Sequence, residues 1–126
     1  EFLETCRRNT VRRRVLSLLK TVRKYFGEAI VVTQEVEDII SSPIVKESII
    51  NNADCKILLD QRKYRNKFDQ IQTLLGLTDK ERAQVLSINL SNDPARRYKE
   101  VFISLGGVQS AVYATEVSDE EYLVRP

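Results

Sequence analysis

The chain has 126 residues, of which 42% are hydrophobic and 30% are charged, and its formal net charge is +2. These values fit one domain with its own core, and the small net charge does not indicate a polyanionic partner. The sequence contains no histidine, which excludes Ser-His-Asp and Cys-His nucleophile arrangements and most metal sites.

Several features of the sequence favour a cytoplasmic protein. No apolar run approaches the roughly 20 residues that span a bilayer, and the acidic amino terminus lacks the order of a secretory signal. Cys6 and Cys55 form no CxxC motif, so we expect reduced thiols rather than a disulfide framework.

The first predicted helix is long and amphipathic, and it is followed by a predicted strand. Its apolar positions recur at helical spacing; they are Val11, Val15, Leu18, Leu19, Val22, Tyr25 and Phe26. Gly27 comes next, as glycine commonly does just past a helix end. Residues 29–32 then form a β-branched apolar run, which is typical of a strand buried on both faces of a parallel sheet.

A crossover helix and a second strand are predicted next. Pro43 fits the first position of a helix that Ser42 caps, and residues 55–59 form a second short apolar run. A strand, a crossover helix and a strand are the sequence sign of a parallel βαβ unit. We therefore predict an α/β fold with two parallel core strands and flanking helices.

Two more helices follow the second predicted strand. Residues 64–75 carry an apolar stripe that ends before Gly76. The residues from Thr78 to Glu81 match a capping box, in which side chains at both ends satisfy free amides of a helix start. We expect the helix that starts there to reach about Ile88.

The last part of the chain predicts a C-terminal β-hairpin. Residues 99–105 and 109–115 are β-like runs joined through a Gly-Gly pair, which is typical of a hairpin turn. Ser118 is predicted to cap a last short helix. No repeat or internal linker interrupts the sequence, so we predict a single unit over residues 1–126.

Thr33 and Gln34 stand at the carboxyl end of the first predicted strand. In open α/β sheets, ligands bind beyond this end of the strands. A glutamine can donate to a phosphate oxygen and accept from a water at once, which makes Gln34 a candidate catalytic residue. The alternative interpretation is that Gln34 only caps the strand and solvates a loop, and the spacing alone favours that alternative.

Arg62 follows the second predicted strand and is the second candidate catalytic residue. An arginine at this rim can neutralise transition-state charge in its own subunit or in a neighbouring one. The alternative is a solvated helix start, which is the commoner explanation of such a charge cluster. Arg96 and Arg97 form a weaker candidate of the same kind.

The sequence lacks the parts of a complete nucleotide site. It contains no G-x-x-x-x-G-K-[ST] motif and therefore no amide cradle for phosphates. No predicted strand ends in an acidic pair that could hold Mg²⁺. We therefore predict no cofactor in this chain and no ATP hydrolysis by it alone.

Residues 1–14 form a basic segment, whose arginines are Arg7, Arg8, Arg12, Arg13 and Arg14. Such a cluster can bind a nucleic-acid backbone through counterion release, although it lacks the interleaved aromatic residues that stack on single strands. A solvated helix start is the alternative.

From about Lys20 onward, the sequence resembles the carboxyl-terminal end of the TraG-type ATPases of conjugative transposons. The resemblance rests on the order and spacing of residues 20–28, 30–36, 42–45, 51–61, 75–78, 106–107 and 114–117. These ATPases are cytoplasmic motors of type IV secretion, related to the VirB class, with a RecA-like P-loop NTPase domain of three layers. The resemblance thus implies that the chain is the carboxyl-terminal portion of a motor for DNA transfer.

The resemblance also implies roles for the candidate residues. Thr33 and Gln34 match the family's glutamine motif beside the γ-phosphate, and Arg62 lies where a finger arginine for the neighbouring subunit is expected. ATP and Mg²⁺ would be cofactors of a full-length parent whose Walker A and Walker B motifs precede this chain. Residues 1–14 depart from the family pattern, so their arginines receive no role from it.

The resemblance implies partners as well, namely neighbouring ATPase subunits, other secretion-complex proteins and DNA, with peripheral attachment at the inner membrane through that complex. We also expect self-association, because a truncated sheet exposes an edge strand and apolar surface. Two alternatives to the motor role remain open at this point: a nucleic-acid-binding module without enzymatic activity, and an interaction module of the secretion complex.

Overall fold

The computed structural model describes residues 9–34, 43, 50–90 and 94–124. Packing divides the chain into two compact units, Glu1–Ala53 and Asp54–Pro126, and each unit is described by itself. The sequence-based assignment of one domain to residues 1–126 stays a prediction. None of the helices that the structure describes has the length and apolar character needed to cross a membrane.

The first unit contains helix α1, Asn9–Thr21, which continues as a 3-10 helix, Val22–Tyr25. The helix ends where Phe26 adopts a left-handed conformation with φ 54° and the Gly27 amide donates to the Val22 carbonyl at 3.0 Å. A Cβ atom on Gly27 would lie 2.8 Å from Val22 Cγ2, so any other residue here would force the Val22 side chain to move. The predicted helix end before Gly27 is confirmed.

Residues 27–33 have no regular secondary structure, and the structure therefore does not show the strand predicted over residues 29–32. Ile30 and Val32 are 79% and 80% exposed, whereas the prediction placed them in a sheet buried on both faces. A strand requires a neighbour whose amides and carbonyls pair with its own. A short β-branched run favours an extended backbone but does not supply that neighbour.

The segment between Gln34 and Ile50 carries the predicted crossover helix. Most of that helix lies outside the described residues. Pro43 and residues 50–52 are described, and they are helical.

The second unit consists of a three-stranded antiparallel sheet and short helices. Its strands are β1, Cys55–Leu58, β2, Tyr98–Leu105, and β3, Gln109–Glu116, in the order β1-β2-β3. Its helices are α2, Phe68–Leu75, α3, Asp79–Ser87, and α4, Asp119–Leu123, with a 3-10 helix, Arg62–Lys67, before α2. The predicted hairpin, the two central helices and the last short helix are confirmed.

The direction in which β1 pairs differs from the prediction of two parallel core strands. β1 pairs antiparallel with β2, with Cys55 opposite Leu105 and Leu58 opposite Phe102. Burial alternates along β1, and Ile57 on its outer face is 60% exposed. Such alternation is typical of an antiparallel sheet with one covered face. The apolar run at 55–59 resembled a doubly buried strand only because its exposed positions are also apolar.

The core of the second unit lies between the sheet and the helices α2 and α3. Its buried side chains are Phe68, Ile71, Leu74, Leu77, Val85, Ile88 and Phe102. On β2, Phe102 and Ser104 point to the same face because side chains alternate along a strand. α3 is attached to that face by two hydrogen bonds, from Ser104 to Glu81 at 2.8 Å and from Ser110 to Gln84 at 3.1 Å.

Glu81 connects the start of α3 to the sheet. Its Oε2 accepts the Thr78 amide at 2.8 Å, while Thr78 Oγ1 accepts the Glu81 amide at 3.2 Å, which confirms the predicted capping box. Its Oε1 accepts the hydroxyl of Ser104. Glu81 is only 5% exposed, so all of its acceptor sites depend on these partners.

The environment of Glu81 favours the charged carboxylate. Burial by itself raises the pKa of Glu81, but the Thr78 amide and the Ser104 and Thr78 hydroxyls lower it, and the positive charge of Lys56 adds to their effect. The net result is a pKa below the usual range for glutamate. The ionised carboxylate therefore contributes to the stability of the folded chain.

Replacing Glu81 by Gln tests this contribution. We expect the free energy of unfolding near neutral pH to fall by about 1–3 kcal/mol, because buried hydrogen bonds lose their charged acceptor. The folded pKa lies below the unfolded value of about 4.3, so the stabilisation is complete above that pH and is lost as the pH falls through the folded pKa. Urea unfolding at a series of pH values from neutral to acidic measures this loss.

The Glu81→Gln variant should lack this part of the acid sensitivity. Glu116→Gln is the control, because Glu116 is exposed at the end of β3, and it should leave both the neutral stability and the pH dependence unchanged. Equal acid sensitivity of the wild-type chain and Glu81→Gln would contradict the account.

Candidate functional site

The carboxyl end of β1 carries a group of partly exposed polar side chains that contact one another. The chain leaves β1 after Leu58 and enters the 3-10 helix at Arg62. Asp60 Oδ1 accepts the backbone amide of Arg62 at 3.0 Å. This is the local hydrogen bond by which aspartate commonly stabilises a turn two residues ahead, and it places Arg62 at the start of the helix.

The side chains of Asp60 and Arg62 also form an ion pair. Arg62 Nε donates to Asp60 Oδ1 at 3.0 Å and to Oδ2 at 2.8 Å, and Arg62 Nη2 donates to Oδ2 at 2.5 Å. The Arg62 side chain is 44% exposed and that of Asp60 is 32% exposed. An exposed guanidinium that is held in one direction can bind a further anion such as a phosphate.

The two charges stabilise each other. The hydrogen bond from the Arg62 side chain lowers the pKa of Asp60, and this outweighs the opposing effect of burial; the backbone amide and charge of Arg62 and the charge of Lys99 lower it further. The carboxylate of Asp60 raises the pKa of Arg62. Both groups are therefore charged over the whole physiological pH range.

In the sequence, Gln61 stands between Asp60 and Arg62. Its Oε1 atom is buried and has no hydrogen-bond partner among the described residues. Sequence reasoning singled out Arg62 but missed both Asp60 as its partner and the side chain of Gln61. A carboxylate two residues before the arginine was the available signal for Asp60, whereas nothing in the sequence indicates the buried oxygen of Gln61.

Thr33 and Gln34 lie in the first unit. Thr33 is half-buried, and Gln34 is exposed at a bend that follows irregular backbone rather than a strand end. The amide of Gln34 is thus accessible to a ligand. Arg62 belongs to the other unit, and the catalytic roles of Gln34 and Arg62 stay predictions.

The weaker candidates Arg96 and Arg97 take part in contacts within the second unit. The Arg96 guanidinium lies over the Tyr98 ring, 5.3 Å from its centroid. Arg97 Nη1 donates to Asp119 Oδ1 at 2.9 Å. These contacts connect the segment before β2 to its surroundings, and they give both arginines a structural explanation.

The basic segment of residues 1–14 is described only from Asn9 onward. Arg7 and Arg8 lie outside the described residues. Arg13 and Arg14 are exposed on α1, a helix without an acidic residue in its first turn. Binding of nucleic acid by this segment stays a prediction.

The residues that the structure describes form no site for a nucleotide with its metal. Gly106 and Gly107 lie in the turn between β2 and β3, with φ values of 55° and 70°, and no helix starts behind them to present free amides. In the part of the chain that the structure describes, no group of three or more His, Cys, Asp or Glu side chains can hold a metal ion.

Comparison with known protein families identifies what the chain resembles. The model of the family described as the TraG P-loop domain matches residues 4–125, which is nearly the full length. No curated protein and no solved structure matches the chain.

The isolated chain should not hydrolyse ATP, because it has no phosphate cradle. A phosphate-release assay on the purified chain, with ATP and Mg²⁺ added, should give turnover no higher than the buffer alone. Turnover that follows the chain through successive chromatographic steps and disappears in a Gln34→Ala preparation would contradict this expectation.

Proposed function

This chain belongs to the TraG P-loop domain family, and from that premise we propose that it is the carboxyl-terminal portion of a motor ATPase for conjugation and type IV secretion. In this proposal the chain supplies residues that complete a nucleotide site, while the phosphate loop belongs to a longer parent protein. ATP and Mg²⁺ are then cofactors of that parent.

The observation that supports the proposal best is the Arg62 guanidinium at the carboxyl end of β1. It is permanently charged, 44% exposed and held by Asp60 in a defined direction. An arginine finger can be supplied in trans to neutralise the transition-state charge at a bound nucleotide, and in this proposal Arg62 faces the nucleotide of the next subunit. Arg62 has the exposure and the fixed orientation that such a residue requires.

Gln34 supplies the second group in the proposal. Its exposed side-chain amide can donate to a phosphate oxygen through nitrogen and accept from a water through oxygen. It would therefore sense whether the terminal phosphate is present, with Thr33 beside it. This role differs from that of Arg62 because Gln34 would act on nucleotide bound to its own subunit.

The proposal also includes a fold, a cellular location and partners for the parent protein. A TraG P-loop domain is expected to have a RecA-like fold of three layers, on the cytoplasmic side of the inner membrane. Its partners would be neighbouring ATPase subunits, other secretion-complex proteins and DNA.

Two variants of a full-length protein that contains this chain test the proposal. Gln34→Ala should abolish ATP hydrolysis while leaving nucleotide binding largely intact, because the amide acts on the reacting phosphate rather than on the base. Arg62→Ala should lower kcat by roughly 10³-fold, the lower end of the range for arginine fingers. Arg97→Ala is the matched control, since it removes an exposed arginine that is also paired with an aspartate, and it should leave turnover unchanged.

A mixing experiment distinguishes an arginine that acts across subunits from one that acts within its own. When Gln34→Ala and Arg62→Ala subunits assemble together, some interfaces combine an intact Gln34 from one variant with an intact Arg62 from the other. Recovery of ATP hydrolysis in the mixture is the expected result. A mixture as inactive as its components would contradict the inter-subunit role, and normal turnover of both single variants would contradict the whole assignment.

We further propose that the isolated chain associates with a second copy of itself through the outer edge of β1. Among the described strands, β1 pairs only with β2, and Ile57 and Leu59 beside this edge are 60% and 62% exposed. Edge strands are commonly protected by proline or several charges, but β1 contains one charge, Lys56, and no proline. An identical strand fits this edge because antiparallel pairing is self-complementary.

Light scattering after size exclusion, over a range of chain concentrations, measures this association. We expect a dimer that dissociates on dilution, and we expect Ile57→Lys to shift the chain toward the monomer by placing a charge beside the edge. Val108→Lys changes an apolar residue that is 93% exposed in the hairpin turn, and it should not affect the dimer. A wild-type chain that stays monomeric at high concentration would contradict the proposal.

A further inference from the structure

We infer that Asp60 is a positioning residue for Arg62, which it holds by the Nε–Nη2 edge of the guanidinium so that the adjacent Nη1–Nη2 edge remains available to a phosphate-type anion. This inference rests on the proposed function of Arg62 and adds a second residue to it. It also gives a reason for the aspartate two residues before the arginine.

The pattern of hydrogen bonds at the guanidinium carries the inference. An arginine side chain presents five N–H groups in one plane, and two of its edges can each bind a carboxylate or phosphate through two N–H groups. Asp60 occupies the edge formed by Nε and Nη2. Among the described residues, Nη1 of Arg62 has no hydrogen-bond partner, so the edge formed by Nη1 and Nη2 is open.

Because the guanidinium is planar, the hydrogen bonds from Asp60 also set the direction of the open edge. Because all of its nitrogens share one plane, fixing the Nε edge also fixes the direction of the Nη1–Nη2 edge. Asp60 is itself fixed, since its Oδ1 also accepts the Arg62 backbone amide at 3.0 Å. The carboxylate therefore connects the direction of the side chain to the turn that follows β1.

The alternative that the pair only stabilises the fold is weak on physical grounds. An ion pair whose members are 44% and 32% exposed contributes little to stability, because water screens the charges. An exposed arginine without such a partner samples many rotamers, and binding an anion then requires that freedom to be lost. A partner on the Nε–Nη2 edge restricts the arginine side chain before the anion binds, so binding costs less conformational entropy.

A second alternative makes the opposite prediction. If Asp60 competed with the anion for Arg62, removing its charge would strengthen anion binding and raise turnover. The open Nη1–Nη2 edge argues against competition, because a phosphate can bind there while Asp60 stays in place.

The Asp60→Asn variant tests the inference in two ways. In the full-length protein that contains this chain, we expect kcat for ATP hydrolysis to fall roughly 10- to 100-fold, the size of effect that a misplaced catalytic group produces, with KM little changed. In the isolated chain, the Arg62 Nε proton should exchange with water faster in Asp60→Asn than in the wild type, as measured by ¹H–¹⁵N NMR. Asp119→Asn breaks the comparable pair with Arg97 and should change neither quantity.

The outcomes separate this inference from the function on which it rests. If Arg62→Ala lowers turnover but Asp60→Asn changes neither turnover nor proton exchange, the positioning role is overturned and the proposed function stands. Higher turnover in Asp60→Asn would overturn positioning in favour of competition. If Arg62→Ala has no effect on turnover, both fail, and slow Nε exchange in the wild type would then mark a pair with only a local structural role.

Discussion

The buried carboxylate of Glu81 fixes how the helices and the sheet of the second unit fit together. It accepts the Thr78 amide that starts α3 and the Ser104 hydroxyl on β2. A buried charge is unfavourable unless its hydrogen bonds are made, so α3 and β2 must pack in the one arrangement that makes them. That arrangement covers Phe102, and it orders β2, the strand against which β1 pairs. The turn that carries Asp60 and Arg62 begins where β1 ends.

Sequence patterns that span only a few residues predicted the local structure correctly. The capping box at Thr78, the glycine turn of the hairpin and the helix end before Gly27 each depend on contacts within a few residues. Strand pairing depends on distant residues instead. Cys55 pairs with Leu105, and nothing near Cys55 indicates whether a partner will run parallel or antiparallel. The predicted strand at residues 29–32 shows the same difficulty, because β-branched residues favour an extended chain but do not specify a neighbour.

The candidate site was predictable to a similar extent. Arg62 was selected because it follows the second predicted strand, where an arginine can neutralise transition-state charge, and its catalytic role stays a prediction. The ion pair between Asp60 and Arg62 could not be predicted, because a spacing of two residues does not determine side-chain rotamers. The accessibility of Gln34 agrees with a ligand-binding role, although its neighbourhood is irregular rather than the end of a strand.

The central claim is that Arg62 serves a nucleotide bound to a neighbouring subunit while Asp60 holds the Nε–Nη2 edge of its guanidinium. The most direct measurement is an electron cryomicroscopy structure of the assembled full-length protein with a non-hydrolysable ATP analogue. The account predicts Arg62 Nη1 at about 2.7–2.9 Å from a phosphate oxygen of the neighbouring subunit's nucleotide, with Asp60 still bound to Nε. An Arg62 side chain directed away from every bound nucleotide would contradict the account.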